Sequence, residues 1–452
     1  MWTQKGKLVL FATVALFVIA MANDSVVVYG LWGVGVGLLG IAFLLARRSL
    51  RGLECRRVLE TARATEGGEL RVRLRASAAR GAVVTGAVVR DTCRNSTTNG
   101  VPVVHSFLVE RATADRIAVA RAEYPCPRRG RYELGPLVAV GGDPFGLFEM
   151  RVTFEDRAEG LAYPETFEVP LGPRCPSPLL HLGAVRPLPT RGRGSELYGV
   201  REYVPGDDLR RVHWKATAHV GKLSVKELES TAGSALSILL DLSRESCFGE
   251  GRDSTTEVAI RAAASIADSS LLAGQHVRLR ANSRQSLDIP LERGEAQRHR
   301  LLTALAEARP DGHLPLAALV SGDLRRVPVG STALLITSVP DERLKAGVAA
   351  ALQRGARMTI VLVHAHSFCQ ALEVGRPRRA RRAREGSDQG GESLLPSFPQ
   401  ADYESWAREL AALGARVAVL RHGEDPRQEL SRALKLHATL GASPWLAAAD
   451  VR

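Results

Sequence analysis

The sequence predicts a multidomain protein: an N-terminal two-helix transmembrane hairpin, a small antiparallel β-sandwich, and a C-terminal doubly wound α/β domain. Three observations carry that reading. Two apolar runs fill the first fifty residues, period-two alternation follows to about residue 167, and strands then alternate with helical stretches of about 10–15 residues. With 452 residues, 45% hydrophobic and 24% charged, the chain can bury a core in each of two or three domains.

Residues 8–22 are apolar, Asn23-Asp24-Ser25 is a polar break, and residues 26–46 are apolar again. A spanning helix needs about 20 apolar residues. The second run meets this, and the first does so with its flanks. Lys5 and Lys7 precede the first run, and Arg47, Arg48, Arg51, Arg56 and Arg57 follow the second. Cationic flanks belong on the cytoplasmic side, which puts the break outside and the bulk of the chain inside. No small-residue cleavage site marks a signal peptide. Gly33, Gly35, Gly37 and Gly40 place small residues along the second helix, which favours close packing against the first.

The six cysteines (Cys55, Cys93, Cys126, Cys175, Cys247, Cys369) are scattered, with no Cys-x-x-Cys pair, as expected of thiols in a reducing compartment. A net charge of +13 fits an acidic partner, an anionic membrane surface or the codon bias of a GC-rich genome.

Residues 51–168 read as the sandwich. Leu70-Arg71-Val72-Arg73-Leu74-Arg75 alternates apolar and charged, and further short strands are expected at 83–84, 88–89, 101–108, 116–121, 132–134 and 137–140. Gly141-Gly142-Asp143-Pro144-Phe145-Gly146-Leu147-Phe148 closes the block as a turn with aromatic anchors. Residues 169–230 form a proline-rich connection followed by a dense polar segment, 191–229. In that segment Asp207 or Asp208 is placed to cap a helix over residues 209–218, and Arg201, Arg210 and Arg211 to pair with Glu196, Glu202 or the aspartates.

Residues 231–452 read as the α/β domain. Strands are expected at 235–240, 277–281, 333–337, 358–363 and 416–420, and helices at 256–273, 295–308, 341–353, 403–413 and 428–436. A basic insertion at about 375–399, with Arg376, Arg378, Arg379, Arg381, Arg382 and Arg384, has the composition of a disordered loop and is a possible contact for anionic lipid. It lacks the interleaved aromatics of a nucleic-acid site.

For catalysis, Ser195, His213 and Asp207 are of the types used in nucleophilic hydrolysis, but Ser195 has no nucleophile-elbow setting. Gly192-Arg193-Gly194 lacks the Gly-Lys-Ser/Thr ending of a phosphate loop. Asp241 and Ser243, at the end of the first α/β strand, stand where von Willebrand factor A-type domains begin a magnesium site. Glu245 occupies the place of that pattern's second serine, and Thr337 has no Asp directly after it, so the set is degenerate.

The run Gly194-Ser195-Glu196-Leu197-Tyr198-Gly199-Val200-Arg201-Glu202-Tyr203, then Pro205-Gly206-Asp207-Asp208-Leu209-Arg210-Arg211-Val212-His213-Trp214-Lys215, resembles the signature of the family labelled domain of unknown function 58 (DUF58). The 142–148 turn and the paired apolar segments resemble that family too, while His219 stands where it usually has arginine. The resemblance implies a bacterial inner-membrane protein with a von Willebrand factor A-like domain, often encoded beside a MoxR-type AAA+ ATPase. It carries Arg201, Glu202, Tyr203, Gly206, Asp207, Asp208, Arg210, Arg211, Trp214 and Lys215 as motif positions, without a reaction. The expected function is therefore a non-enzymatic, membrane-anchored adaptor for a protein partner, with no cofactor. The alternatives are a hydrolase built on residues 191–229 and a magnesium-dependent adhesion module.

Overall fold

Asp24, in the left-handed backbone region, turns the chain between α1 (Gln4–Asn23) and α2 (Val26–Ser49). The computed structural model describes residues 1–98, 100–170, 197–204, 212–228, 235–284, 287–323, 331–375 and 401–439. Both helices are long and apolar enough to cross a membrane, with mean hydropathies of 1.9 and 2.1. The first gains its length upstream of the apolar run: Thr3 accepts from Gly6 N at 3.0 Å and starts the helix at Gln4. Of the α2 glycines, Gly35 is the one pressed against α1, where an added Cβ would lie 2.9 Å from the Thr13 hydroxyl; Gly33, Gly37 and Gly40 meet nothing.

These helices belong to a first unit, Met1–Pro164, whose remainder is all strand. In chain order these are β1 (Leu53–Leu59), β2 (Arg63–Thr65), β3 (Glu69–Ala78), β4 (Val84–Asn95), β5 (Val103–Ala112), β6 (Ala118–Pro125), β7 (Gly130–Leu134), β8 (Leu137–Gly142), β9 (Glu149–Phe154) and β10 (Ala158–Tyr163). One sheet has the order β1-β3-β6. The other runs β2-β10-β7-β4-β8-β9, with β5 also paired to β4. Pairings are antiparallel except β2 with β10. The expected fragments at 83–84 and 88–89 join in one long strand, β4, that begins at Val84, because Gly86 interrupts the alternation without ending the ladder.

Alternation buries Leu70, Val72 and Leu74 of β3 in the same core as Val84, Ala87 and Val89 of β4, so both sheets close on one apolar interior. A buried ion pair joins them as well. Arg57 of β1 donates to both carboxylate oxygens of Asp91 on β4, at 2.5 and 3.2 Å, and its Nη1 reaches the carbonyls of Leu134 and Asp156.

The second unit, Glu165–Arg452, contains two sheets. β11 (Leu197–Glu202) and β12 (Ser224–Leu228) form an antiparallel pair, with α3 (Trp214–Val220) between them in sequence. The larger, mixed sheet comprises β13 (Ala235–Leu240), β14 (His276–Ala281), β15 (Leu287–Glu292), β16 (Thr332–Thr337), β17 (Arg357–Val363) and β18 (Arg416–Leu420), in the order β15-β14-β13-β16-β17-β18. All pairs in it are parallel except β14 with β15. Its helices are α4 (Thr255–Leu272), α5 (Glu295–Glu307), α6 (Leu316–Asp323), α7 (Glu342–Gln353), α8 (Ala365–Gly375), α9 (Ala401–Ala412) and α10 (Pro426–Thr439). All six residues of β13 are buried, which requires cover on both faces of the sheet. From β13 the chain proceeds to β14 on one side and later to β16 on the other, so the strand order reverses there.

One reading needs correction. The helix expected from residue 209 starts at Trp214 instead, because Val212 is extended in a bridge to Val225 and His213 provides the cap. Glu202 pairs with Lys222 at 3.2 Å, while Arg210 and Arg211 lie outside the described residues. β15, α6 and α8 were not foreseen. β15 carries Pro290 on an edge strand, α6 spans only 8 residues, and α8 follows β17 almost directly. Most of the proline-rich connection, nearly all of the basic insertion with Arg376–Arg384, and residues 440–452 lie outside the described residues.

Candidate functional site

In a sheet of this topology, ligands are expected at the carboxyl ends of the strands beside the reversal of order. Asp241 follows β13 there, and its backbone N donates to Ile336 O at 2.9 Å. Its carboxylate is buried and fully engaged by neutral donors. Oδ1 accepts from Ser243 N at 3.1 Å and Asn282 Nδ2 at 2.9 Å, while Oδ2 accepts from the Thr337 hydroxyl at 2.9 Å. Asn282 also accepts from Leu242 N and donates to Leu314 O, so one amide ties three loops together. The chain at Gly312 passes so close that a Cβ there would sit 1.7 Å from Asn282 O, a position only glycine can fill.

The network continues inward. Ser246 Oγ donates to Ser243 O, Ser338 Oγ to Ser246 O, and Tyr403 Oη to Ser338 O, while Ala365 N donates to Tyr403 Oη. His364 lies beside Tyr403 with ring centroids 4.5 Å apart and planes tilted by 35°, and its Nδ1 accepts from Ser367 N at 3.2 Å. Burial first, then the charge of Arg421, pulls the His364 pKa below its ordinary value, so the ring is neutral at pH 7. Burial likewise pushes the Tyr403 hydroxyl well up, which keeps it a neutral hydrogen-bond donor.

Sequence reasoning paired Asp241 with Ser243, and the structure brings them together with Thr337. It also adds Asn282, which no spacing rule connects to them. A magnesium ion fits this set poorly. Both Asp241 oxygens already accept hydrogen bonds from neutral donors, and Glu245, in place of the second serine, is exposed. Among the described residues no three His, Cys, Asp or Glu side chains group as metal ligands. As built, the network braces loops.

The second candidate is the hairpin of β11, α3 and β12. Tyr203 N donates to Leu223 O and His213 N to Ser224 O, both at 2.8 Å, and the Thr217 hydroxyl accepts from Ser224 N at 3.0 Å. Val212 and Val225 are buried beneath it. His213 Nδ1 accepts from Ala216 N at 3.1 Å, and Gly221 (φ 73°) ends the helix. With that lone pair spent on the cap, His213 is not set up as a general base. Arg201 and Glu202 close β11, opposite Val225 and Ser224, and Tyr203 follows half-buried. Gly206, Asp207, Asp208, Arg210, Arg211 and Ser195 lie outside the described residues. Trp214 is 69% exposed and Lys215 is exposed, as are Val200, Val204 and Leu223.

Residues 199–364, from β11 to the end of β17, match the family model described as "Protein of unknown function DUF58". Over these residues the chain is similar to the DUF58 family. Uncharacterized protein Rv1480 of Mycobacterium tuberculosis (strain ATCC 25618 / H37Rv) is similar at 29% identity over 127 residues, covering 28% of this chain and 38% of that protein. Uncharacterized protein Mb1516 of Mycobacterium bovis matches equally. The chain thus spans well under half the length of these curated relatives. Among solved structures, a von Willebrand factor type A protein from Catenulispora acidiphila aligns with a TM-score of 0.26 and 15% identity, covering 45% of this chain and 42% of that one. The C-terminal domain of wzt aligns with a TM-score of 0.19 and 11% identity, covering 25% and 74%.

Proposed function

We propose that this chain is a membrane-anchored, non-enzymatic adaptor whose second unit binds a protein partner, a MoxR-type AAA+ ATPase. In this reading the strands of the first unit form a β-sandwich spacer, and the six-stranded sheet is a doubly wound fold of von Willebrand factor A type. The helix pair crosses the bacterial inner membrane twice, with both units in the cytoplasm.

Trp214 carries the proposal. Among the described residues its indole is 69% exposed, so most of that large apolar surface is open to solvent. Exposed aromatics flanked by cations are the usual anchors of protein interfaces, and Lys215 adjoins it within the family's residues. The braced Asp241 network supports binding over chemistry, since its polar groups are spent on each other.

The test is affinity purification of the tagged full chain from native membranes, with and without ATP. An AAA+ ATPase should co-purify in near-stoichiometric amount and be lost in Trp214→Ala. Recovery of no ATPase under either condition refutes the partner.

A further inference from the structure

At one end of the first unit, three loops and the exit of α2 meet. Ala79 N donates to Gly52 O at 2.8 Å, which fixes the β3–β4 loop beside the junction of α2 and β1. Ala78 N reaches Thr113 O at 3.4 Å, which brings in the β5–β6 loop. The β8–β9 turn is tied to the start of α1, where the Thr3 hydroxyl donates to Gly146 O at 2.7 Å. Asp143 shapes that turn by accepting from Phe145 N and Phe148 N, at 2.9 and 2.7 Å. Phe148 is thereby turned inward against Trp2 and Phe43, at 4.5 and 5.5 Å between ring centroids, while Phe145 is left outside.

Each loop exposes one large apolar side chain: Val83 at 53%, Ile117 at 51% and Phe145 at 54%. Beside them Arg51, Arg80 and Arg116 are exposed. The other acid in these loops besides the inward-turned Asp143 is Asp115. Apolar tips interleaved with cations, at the level where two apolar helices end, match an anionic bilayer surface: acyl chains for the tips and headgroups for the arginines.

We propose that this end is a foot pressed into the phospholipid interface, with Val83, Ile117 and Phe145 in the headgroup–acyl boundary and Arg51, Arg80 and Arg116 on anionic headgroups. The proposal rests on the reading of α1 and α2 as membrane spans. The foot fixes the first unit against the bilayer, so the hairpin is more than a flexible tether.

The test uses the full chain reconstituted into vesicles of phosphatidylcholine, alone or with phosphatidylglycerol. Photoreactive p-benzoylphenylalanine is placed singly at positions 83, 117, 145, 34 and 101. Val34 lies on α2, and Val101, 89% exposed, lies on the β4–β5 connection at the opposite end of the strands. Lipid adducts are expected at 34, 83, 117 and 145 but not at 101. Adducts at the three tips should rise roughly threefold with phosphatidylglycerol, a rise lost in the Arg51→Gln/Arg80→Gln/Arg116→Gln variant. Labelling at 34 alone overturns the foot and leaves the anchor standing; no labelling at 34 overturns both. Equal labelling at 101 also overturns the foot, and a rise that survives the triple variant overturns the headgroup role of the arginines.

Discussion

The Thr337 hydroxyl donates to Oδ2 of Asp241 at 2.9 Å, joining the ends of two adjacent parallel strands, β16 and β13. Hydrogen bonds from Asn282 and Ser243 complete the carboxylate's set of partners. Asp241→Ala leaves three buried donors without an acceptor, at about 1–3 kcal/mol each before relaxation. The melting temperature of the second unit should fall by several degrees, as read by calorimetry. Millimolar magnesium should leave the wild-type melting temperature unchanged. A magnesium-dependent rise that vanishes in Asp241→Ala would show that the cation displaces these bonds.

His364 gives the second unit a pH dependence of definite sign. Its folded pKa is lowered, so the unfolded chain takes up a proton at a higher pH than the native one. The stabilisation is fully present above the unfolded value of about 6.5 and is lost as pH falls through the lower, folded value. Urea midpoints should decline between pH 7 and pH 5. His364→Asn, whose carboxamide oxygen can still accept from Ser367 N, should flatten that decline. A slope unchanged by the substitution would assign it to other groups.

The alternation of β3 and the apolar run of β13 were legible because burial acts on every second or on every residue of a strand, whichever faces are covered. The start of α3 was not legible. Two aspartates at residues 207 and 208 are better caps by residue type than His213, but Val212 is bridged to Val225, so α3 begins only after it, with His213 as its cap. Asp241 and Ser243 could be picked out because they are two residues apart. Asn282 could not, since only the parallel register of β13 with β14 carries it to Asp241, 41 positions away. The Phe148 anchor was visible as an aromatic turn, but its target, the helix pair, was not.

Arg57 and Asp91 should be the first unit's most sensitive polar pair. Neither side chain is exposed, so removing one partner strands the other's charge in the core. Arg57→Met should cost about 3–5 kcal/mol, and Arg57→Met/Asp91→Leu should recover much of that loss. Thermal unfolding of the reconstituted full chain measures both. A double variant no better than the single would mean that the lost bonds to Leu134 and Asp156, not the stranded charge, dominate.

Trp214→Ala separates binding from folding. The side chain touches mostly solvent, so its removal should change stability by no more than about 0.5 kcal/mol, whereas the loss of an interface anchor costs about 2 kcal/mol or more, at least a thirtyfold weakening. Val225→Ala, in the buried floor of the same hairpin, should reverse the order and damage stability first, through the cavity it leaves. Measuring partner affinity and melting temperature on both variants resolves the two roles. If Trp214→Ala lowers the melting temperature as much as Val225→Ala does, the indole is packing within the chain, and the adaptor reading loses the observation on which it stands.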